Sequence, residues 1–395
     1  MKKNTLIEVV IFLTYALFAF SWVAGSMLSR TITADFGVQG VTAATWTTNA
    51  ITIAKIIGNL IAAWVLVQLG PKKAFALASL LIVASVAGVW AGSYPLYVLS
   101  RLVMGFGGAF VIVYFGPIVM NYFTPEERPL VNGINSIAFN TGNLLALLFT
   151  GALLSGLGAW RNVIMVIAAA SLVVLLAWLA VSEDFALGGK KTTVPETYSL
   201  GDGVKELFNW MLPFCYSGIL FAYIAIFALF PLIPSFAVPG RNLSALMITA
   251  GMVGTLAGII AAKKYPLRIP LIRYSGLIMT VFIALMIFTT NQMVAYAAAF
   301  LAGFFMFLPI TAMMTLPQEL PGMTPGHVTV VFGMFWSISY VIETIWMFVA
   351  SQLADKTGDP FKAALFVLIC SISAFVASFF LPETGHKPVP ADAAA

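Results

Sequence analysis

The sequence predicts an all-α membrane protein, with 12 transmembrane helices in two pseudo-symmetric six-helix bundles. Of its 395 residues, 61% are hydrophobic and only 9% are charged, whereas soluble domains carry about 25% charged residues. The apolar residues form continuous runs and do not alternate with polar ones, which excludes a membrane β-barrel. Since a spanning helix needs ~20 apolar residues, a chain of this length with short loops holds about a dozen spans.

The spans follow one another with short connections. The first follows Met1-Lys2-Lys3 and is longer than the apolar region of a cleaved signal peptide, so we interpret it as a retained helix. The longest polar stretch predicts a division of the chain into an N-terminal half at 1–181, a cytoplasmic linker at 182–208, a C-terminal half at 209–387 and a disordered tail at 388–395. The predicted spans are 6–27, 42–68, 74–92, 96–121, 131–154, 162–181, 209–235, 243–262, 274–290, 294–316, 328–352 and 362–381.

Basic residues predict the orientation of these spans. With the N-terminus inside, most of the 20 lysines and arginines fall on the cytoplasmic side. The exceptions outside are Arg30, Arg161, Arg241, Lys356 and Lys362. The positive-inside rule therefore predicts a multi-pass protein of the cell membrane with both termini cytoplasmic. Short loops favour a bacterial inner membrane.

A weak internal repeat supports the two halves. Residues at the end of the fourth span recur 192 positions later at the end of the tenth span. Such a displacement is typical of parallel repeats related by an axis along the membrane normal. The recurring residues are Pro117, Pro125, Glu127 and Pro129, matched by Pro309, Pro317, Glu319 and Pro321.

Lys55 lies about halfway along the second span. A lysine at the bilayer centre costs at least ~2.5 kcal/mol on insertion scales, so it is expected to face a bundle interior or a water-filled cavity. The polar residues around it recur at intervals of three and four and share one helix face: Thr45, Thr48, Thr52, Lys55 and Asn59. The alternative is that the threonines bond to the preceding turn while the lysine snorkels to an interface.

Other polar and aromatic residues within the spans are candidates for the same route. Glu343 is the acid that lies deepest in a span, at mid-depth like Lys55, and Arg101 lies about one and a half turns into the fourth span. Arg101 either contacts the substrate or stabilises helix packing. Asn140 and Asn143 either bind a polar substrate or bond between helices. Aromatic residues that wall a cavity or pack the core are Tyr15, Trp336 and Tyr340.

Several function classes are not indicated. Both histidines, His327 and His386, lie near the predicted cytoplasmic surface, and the sequence has neither a metal-ligand cluster nor a P-loop. We therefore expect no enzyme activity, no catalytic residue, no cofactor and no metal. The net charge of +5 reflects basic loops, and no nucleic-acid partner is expected. The partners expected are membrane lipid, a small-molecule substrate and protons, and the chain is expected to be a monomer.

Three motifs resemble those of the major facilitator superfamily of secondary transporters, over essentially the whole chain. They are Arg101-Leu-Val-Met-Gly105-Phe-Gly107-Gly108-Ala109, Pro125-Glu126-Glu127-Arg128 with Gly133, and Ala159-Trp160-Arg161. The loop Leu69-Gly70-Pro71-Lys72-Lys73 keeps the family's glycine and basic end, but Val67 stands where the family has an aspartate. The glycines of the first motif are expected to allow close helix packing.

The resemblance has implications for substrate and mechanism. The stretches 317–322 and 354–358 look most like the cyanate and nitroimidazole transporter group, which handles small anions. In the implied fold the second and eleventh spans meet, so Lys55 and Glu343 are candidates for an ion pair. We hypothesise that an anion takes Lys55 from Glu343, which then takes up a proton. The alternative is a permanent pair that only locks the halves.

The predicted function is secondary active transport of a small anionic solute by alternating access, proton-coupled or by exchange, with import favoured. Lys55 contacts the anion and Glu343 carries the proton. The polar lining is formed by Thr48, Thr52, Asn59, Asn140 and Asn143. One alternative is proton-driven export of drugs or cations with Glu343 as the cation site. Another is a non-transporting membrane receptor of the same fold.

Overall fold

The computed structural model describes residues 3–123, 128–185, 200–234, 236–265, 267–321 and 325–384, and its regular secondary structure within these ranges is helical. Several sequence predictions lie outside the described residues. They concern Glu127 and the rest of the motif at 125–127, most of the predicted linker, His386 and the predicted disordered tail.

The helices of the first half of the chain follow the predicted spans closely. A short helix, α2, lies between the first two spans and was not predicted. The bounds are α1 Lys3–Met27, α2 Ser29–Asp35, α3 Val41–Leu69, α4 Pro71–Ala84 with a 3-10 continuation Ser85–Trp90, α5 Tyr94–Tyr122, α6 Arg128–Leu157 and α7 Trp160–Val181.

The second half has the same number of spans with more interruptions. The bounds are α8 Leu200–Gly203, α9 Phe208–Ala228, α10 Gly240–Lys264, α11 Arg268–Phe288, α12 Gln292–Phe307, α13 Ile310–Glu319, α14 Pro325–Thr357, α15 Phe361–Ser371 and α16 Ser373–Val376. Short 3-10 turns follow α9 at Phe230–Leu232 and α16 at Ala377–Phe380.

Proline explains one departure from the predicted spans. The span predicted at 294–316 is divided into α12 and α13, with the break at Leu308 and Pro309. Proline lacks an N–H and its ring clashes with the carbonyl four residues earlier, so it interrupts a helix. Its counterpart in the repeat, Pro117, lies inside the uninterrupted helix α5. The same residue at matched positions thus gives two local structures.

Among the described residues, eleven helical segments are long and apolar enough to cross a membrane, when consecutive elements such as α12 and α13 are counted as one segment. Helix α3, which carries Lys55, takes the place of the remaining predicted span. It has 29 residues, so at 1.5 Å per residue it is about 43 Å long. The chain is therefore a multi-pass α-helical membrane protein.

The chain divides into two compact units. Unit 1 comprises residues 1–193 with the segments 227–232 and 347–360, and unit 2 comprises the rest. Unit 1 thus contains the end of α14, although that helix belongs to the second half of the sequence. The boundaries of the halves at 181 and 209 stay a prediction.

Glycines in α5 permit close packing within unit 1. A Cβ atom on Gly105 would lie 2.7 Å from the Cβ of Ala54 and 2.8 Å from the carbonyl oxygen of Ile51, both on α3. A Cβ atom on Gly107 would lie 2.6 Å from the carbonyl oxygen of Ala78 on α4. Since real Cβ contacts are longer, only glycine fits at these crossings, in agreement with the packing role.

In unit 1, helix α3 begins against a carboxylate from a distant part of the chain. The Asp355 carboxylate accepts hydrogen bonds from the backbone N–H groups of Val41 (2.5 Å) and Thr42 (2.8 Å) at the start of α3. Gly40 precedes them with φ +104°, a conformation that favours glycine. The carboxylate satisfies N–H groups that otherwise have no partner at a helix start.

Candidate functional site

Three aromatic rings surround the ammonium group of Lys55. The Nζ atom lies 5.3 Å from the ring centroid of Trp22, 5.4 Å from that of Phe139 and 5.8 Å from that of Phe18. Lys55 is only 3% exposed, so it does not snorkel to the surface of unit 1. Each cation–π contact is worth up to ~2 kcal/mol when desolvated, which offsets part of the cost of burying the charge.

The rings belong to one aromatic cluster, which we define as Tyr15, Phe18, Trp22 and Phe139. Tyr15, Phe18 and Trp22 recur at intervals of three and four and therefore share a face of α1. Tyr15 stacks on Phe18 at 5.8 Å and contacts Phe139 at 5.4 Å. The predicted site residue Tyr15 thus supports the rings that cover Lys55.

Phe139, on α6, was not among the sequence candidates. It lies 5.7 Å from Trp22, ring centroid to ring centroid. Its position in the sequence could have indicated a place in the site, because Phe139 precedes Asn143 by four residues and so shares a face of α6 with that asparagine. Asn140 and Asn143 themselves are buried, with 6% and 0% of their surface exposed.

The polar stripe of α3 is divided between two kinds of contact. The Thr52 hydroxyl donates to the carbonyl of Asn49 at 3.0 Å, which agrees with the alternative that threonines bond to the preceding turn. The Thr48 hydroxyl instead lies 2.7 Å from the Ser26 hydroxyl on α1. Asn59 is half-buried one turn beyond Lys55. The stripe therefore faces α1 at Thr48.

Arg101 is buried against the backbone of α1. Its Nη2 atom donates to the carbonyl oxygens of Ser21 (3.0 Å) and Trp22 (2.9 Å). A Cβ atom on Gly25 would lie 2.5 Å from Nη2, so glycine makes room for the guanidinium. Arg101 thereby fixes the turn of α1 whose Trp22 ring covers Lys55. This is a positioning role; whether Arg101 also contacts substrate stays a prediction.

The remaining predicted residues lie in unit 2. Glu343 on α14 is fully buried, and its Oε2 atom is 3.5 Å from the Thr344 hydroxyl. Trp336 and Tyr340 stack on the same helix at 6.4 Å. The Trp336 ring also meets Tyr216 edge-on at 5.6 Å. The pairing of Glu343 with Lys55, which belongs to unit 1, stays a prediction.

A cavity of about 450 Å³ lies in unit 1 at the start of α3. Its lining includes Arg30, Thr33, Ala44, Leu232 and Asp355. The Arg30 guanidinium donates to the Leu232 carbonyl at 2.5 Å. Ala44 precedes Lys55 by eleven residues on α3, about 16 Å along the helix axis.

Among the described residues, no group of three or more histidine, cysteine, aspartate or glutamate side chains could hold a metal ion. The two cysteines, Cys215 and Cys370, are buried thiols that form no disulfide with each other.

Comparison with known proteins gives a family match and distant relatives. Residues 10–343 match the family model described as Major Facilitator Superfamily. An uncharacterised protein of Campylobacter jejuni is 29% identical over 178 residues, which cover 45% of this chain and 55% of that protein. The chain thus matches little more than half the length of this relative.

Two further comparisons cover more of the chain. A probable sulfoacetate transporter of Cupriavidus necator is 24% identical over 339 residues, or 76% of each chain. Among solved structures, a bacterial homologue of the human lysosomal transporter Spinster superposes with a TM-score of 0.77 at 15% identity, covering 98% of this chain and 100% of that one. This likeness shows the fold.

Proposed function

The chain belongs to the Major Facilitator Superfamily, and from this premise we propose that it moves a small anionic solute across the membrane by secondary active transport. The family membership confirms the predicted fold class and the prediction that the chain is not an enzyme. We extend the proposal to alternating access of the two halves around a site near mid-depth. Import, a monomeric state and a bacterial inner membrane with cytoplasmic termini are parts of this proposal.

The burial of Lys55 among aromatic rings carries the proposal. The rings hold the ammonium by their quadrupoles and contribute no formal negative charge. Arg101, on α5, donates a hydrogen bond to the Trp22 carbonyl of α1 and adds a second positive charge to the same region. Positive side chains within low-dielectric walls raise the local concentration of anions. They disfavour the cationic drugs that the exporter alternative requires.

Coupling is proposed to depend on Glu343. An anion that binds near Lys55 neutralises part of the lysine's charge and so weakens its attraction for the Glu343 carboxylate. Protonation of Glu343 then leaves a neutral group inside the membrane, which costs less than a buried charge. Exchange of one anion for another is the form of coupling that would not need this proton.

The substrate class is proposed from the charge of the site and two likenesses. The sequence resembles the cyanate and nitroimidazole transporter group, and one relative is named as a probable sulfoacetate transporter. We propose a small carboxylate, sulfonate or inorganic anion. The polar groups available to bind it, besides Lys55, include Thr48, Asn59, Asn140 and Asn143.

The binding test compares thermal stability of the purified protein with a panel of anions, cations and drugs. A ligand that binds only the native state raises stability with concentration. We expect one class of anion to stabilise the parent and the Lys362→Gln variant, which changes an exposed lysine, but not Lys55→Gln. Stabilisation by cations or apolar drugs alone, unaffected by Lys55→Gln, would overturn the anion proposal.

The transport test uses proteoliposomes with the anion found in the binding test. We expect uptake that Lys55→Gln abolishes and Lys362→Gln preserves. Acceleration by an inward proton gradient supports symport, and acceleration only by internal anion supports exchange. Binding without flux under either gradient would favour the receptor alternative.

A further inference from the structure

A buried glutamate and a buried asparagine meet between α1 and α6. Glu8 is 9% exposed and Asn135 is 4% exposed. The Asn135 Nδ2 atom donates to Glu8 Oε2 at 3.3 Å. The other two oxygens, Glu8 Oε1 and Asn135 Oδ1, are buried and accept no hydrogen bond from the described residues.

One proton would satisfy both of these oxygens. A carboxylate only accepts hydrogen bonds, so it cannot donate to the amide oxygen. A carboxylic acid can donate its O–H to the amide oxygen while its other oxygen accepts from the amide N–H. The pair then has two reciprocal hydrogen bonds. Since buried polar groups are nearly always hydrogen-bonded, the arrangement of these two oxygens suits a site that binds a proton.

The charged groups nearest to Glu8 do not donate a hydrogen bond to either of these two oxygens. On α1 itself, Lys3 pairs with Glu183. Lys55 and Arg101 contact α1 at Phe18 to Trp22, ten to fourteen residues beyond Glu8 and so about 15–21 Å along the axis.

The helices packed against α1 carry few other titratable groups. The remaining ones are Arg30 and Asp35 on α2, Arg128 on α6, Arg161 on α7, Tyr15 on α1 itself, and Tyr94, Tyr97, Tyr114 and Tyr122 on α5. Arg161 pairs with Asp35, and the side chain of Arg128 lies outside the described residues. Among the described residues, Asn135 is the hydrogen-bond partner of Glu8.

We propose that Glu8 and Asn135 form a second proton-binding site of this transporter, separate from Glu343 and close to the end of α1 that is predicted to be cytoplasmic. The inference rests on the proposed transport function. A hydronium ion on the aqueous side loses one O–H bond as one O–H bond forms on Glu8, which leaves a water molecule, and the reverse transfer to water releases the proton. Protonation fastens α1 to α6, the two helices that hold the rings around Lys55.

Infrared difference spectroscopy tests the site without any substrate. Between acidic and alkaline buffer, we expect a carboxylic-acid C=O band that disappears in Glu8→Gln. The band persists in Glu343→Gln and in Glu183→Gln, a control that changes an exposed acid. Glutamine suits the site because two amides can exchange two hydrogen bonds. A spectrum unchanged by Glu8→Gln would overturn the proposal.

Asn135→Leu provides a second variant that keeps the carboxyl group. We expect its C=O band to shift in frequency, because the reciprocal hydrogen bonds are lost. An unshifted band would contradict the pairing even if Glu8→Gln failed to fold.

The two proposals fail differently. In proteoliposomes at varied pH, we expect Glu8→Gln to bind the anion like the parent but to lose the pH dependence of uptake. Unchanged pH dependence, with transport intact, would overturn the role of Glu8 and leave the proposed function standing. Absence of transport in the parent itself would overturn the proposed function, while the infrared band would still report proton binding at Glu8.

Discussion

The Nζ atom of Lys55 lies 5.3 Å from the ring centroid of Trp22, whose own carbonyl accepts a hydrogen bond from Arg101. One residue of α1 therefore contacts both Lys55 and Arg101, the first through its ring and the second through its backbone. The position of the lysine depends on α1, and α1 is held at this turn by Arg101. The anion that we propose as substrate would therefore meet a preorganised charge.

Replacing Phe139 tests the aromatic contacts of Lys55. If the proposed anion binds at Lys55, we expect Phe139→Leu to weaken its stabilising effect, because one ring over the ammonium is lost, whereas Phe139→Tyr keeps a ring and preserves binding. Phe149→Leu, an exposed position on the same helix, is the control. Thermal shifts titrated with anion give the apparent Kd. Equal values for Phe139→Leu and the parent would show that the rings do not position the lysine.

Substitutions at two glycines of α5 distinguish the effect of helix packing on stability from the effect of helix propensity. Gly105→Ala places a methyl group 2.7 Å from the Cβ of Ala54, so we expect a loss of about 1–3 kcal/mol from overpacking. A Cβ atom on Gly116, in the same helix, meets nothing within 4 Å. Gly116→Ala should therefore leave stability unchanged or raise it by up to ~1 kcal/mol. Thermal unfolding in detergent measures both, and equal losses would contradict the close crossing.

The Asp355 carboxylate is expected to stabilise the start of α3. Asp355→Ala leaves the N–H groups of Val41 and Thr42 without this acceptor, so we expect a loss of about 1 kcal/mol. Asp355→Asn keeps an acceptor oxygen but removes the charge, so its loss should be smaller. The Tm values of the parent and the two variants show whether stability decreases in this order. A Tm of Asp355→Ala equal to that of the parent would show that the cap adds no stability.

Acid should weaken the contact of Asp35 with α7. Hydrogen bonds from Trp160 and Arg161 lower the pKa of Asp35 below its usual value. A carboxyl group whose pKa is lower in the folded than in the unfolded protein stabilises the folded state at pH values above the unfolded pKa, which is about 3.9 for aspartate. This stabilisation is lost as the pH falls through the folded pKa. We expect Asp35→Asn to have a lower Tm than the parent at neutral pH and a smaller further loss below about pH 4. Parallel Tm curves for the two proteins would refute this contribution.

The spans could be predicted from sequence because they depend on local properties. Runs of about 20 apolar residues are helices in a bilayer whatever surrounds them. The predicted spans therefore agree with the observed helices to within a few residues at most of their ends. The break at Pro309 was not predictable in this way, since Pro117 has the same local chemistry and lies in a continuous helix.

The candidate site was only partly predictable. Intervals of three and four residues placed Lys55 on a polar face of α3, because helical periodicity is a property of one segment. The ring of Phe139 over Lys55, the pairing of Glu8 with Asn135 and the contact of Asp355 with Val41 each join residues at least 84 positions apart in the sequence. No periodicity within a segment indicates such a partner.

The sequence by itself thus determined that this is a multi-helix membrane protein of a transporter family with a lysine buried in its second span. Hydrophobicity and helical periodicity suffice for that, since both act along the chain. Only the tertiary structure decided which side chains surround the lysine, that Arg101 is bonded to the backbone of α1, and that Glu8 faces an asparagine. The physical reason is that burial and hydrogen bonding depend on which helices are neighbours. Which helices are neighbours depends in turn on packing across the whole of unit 1.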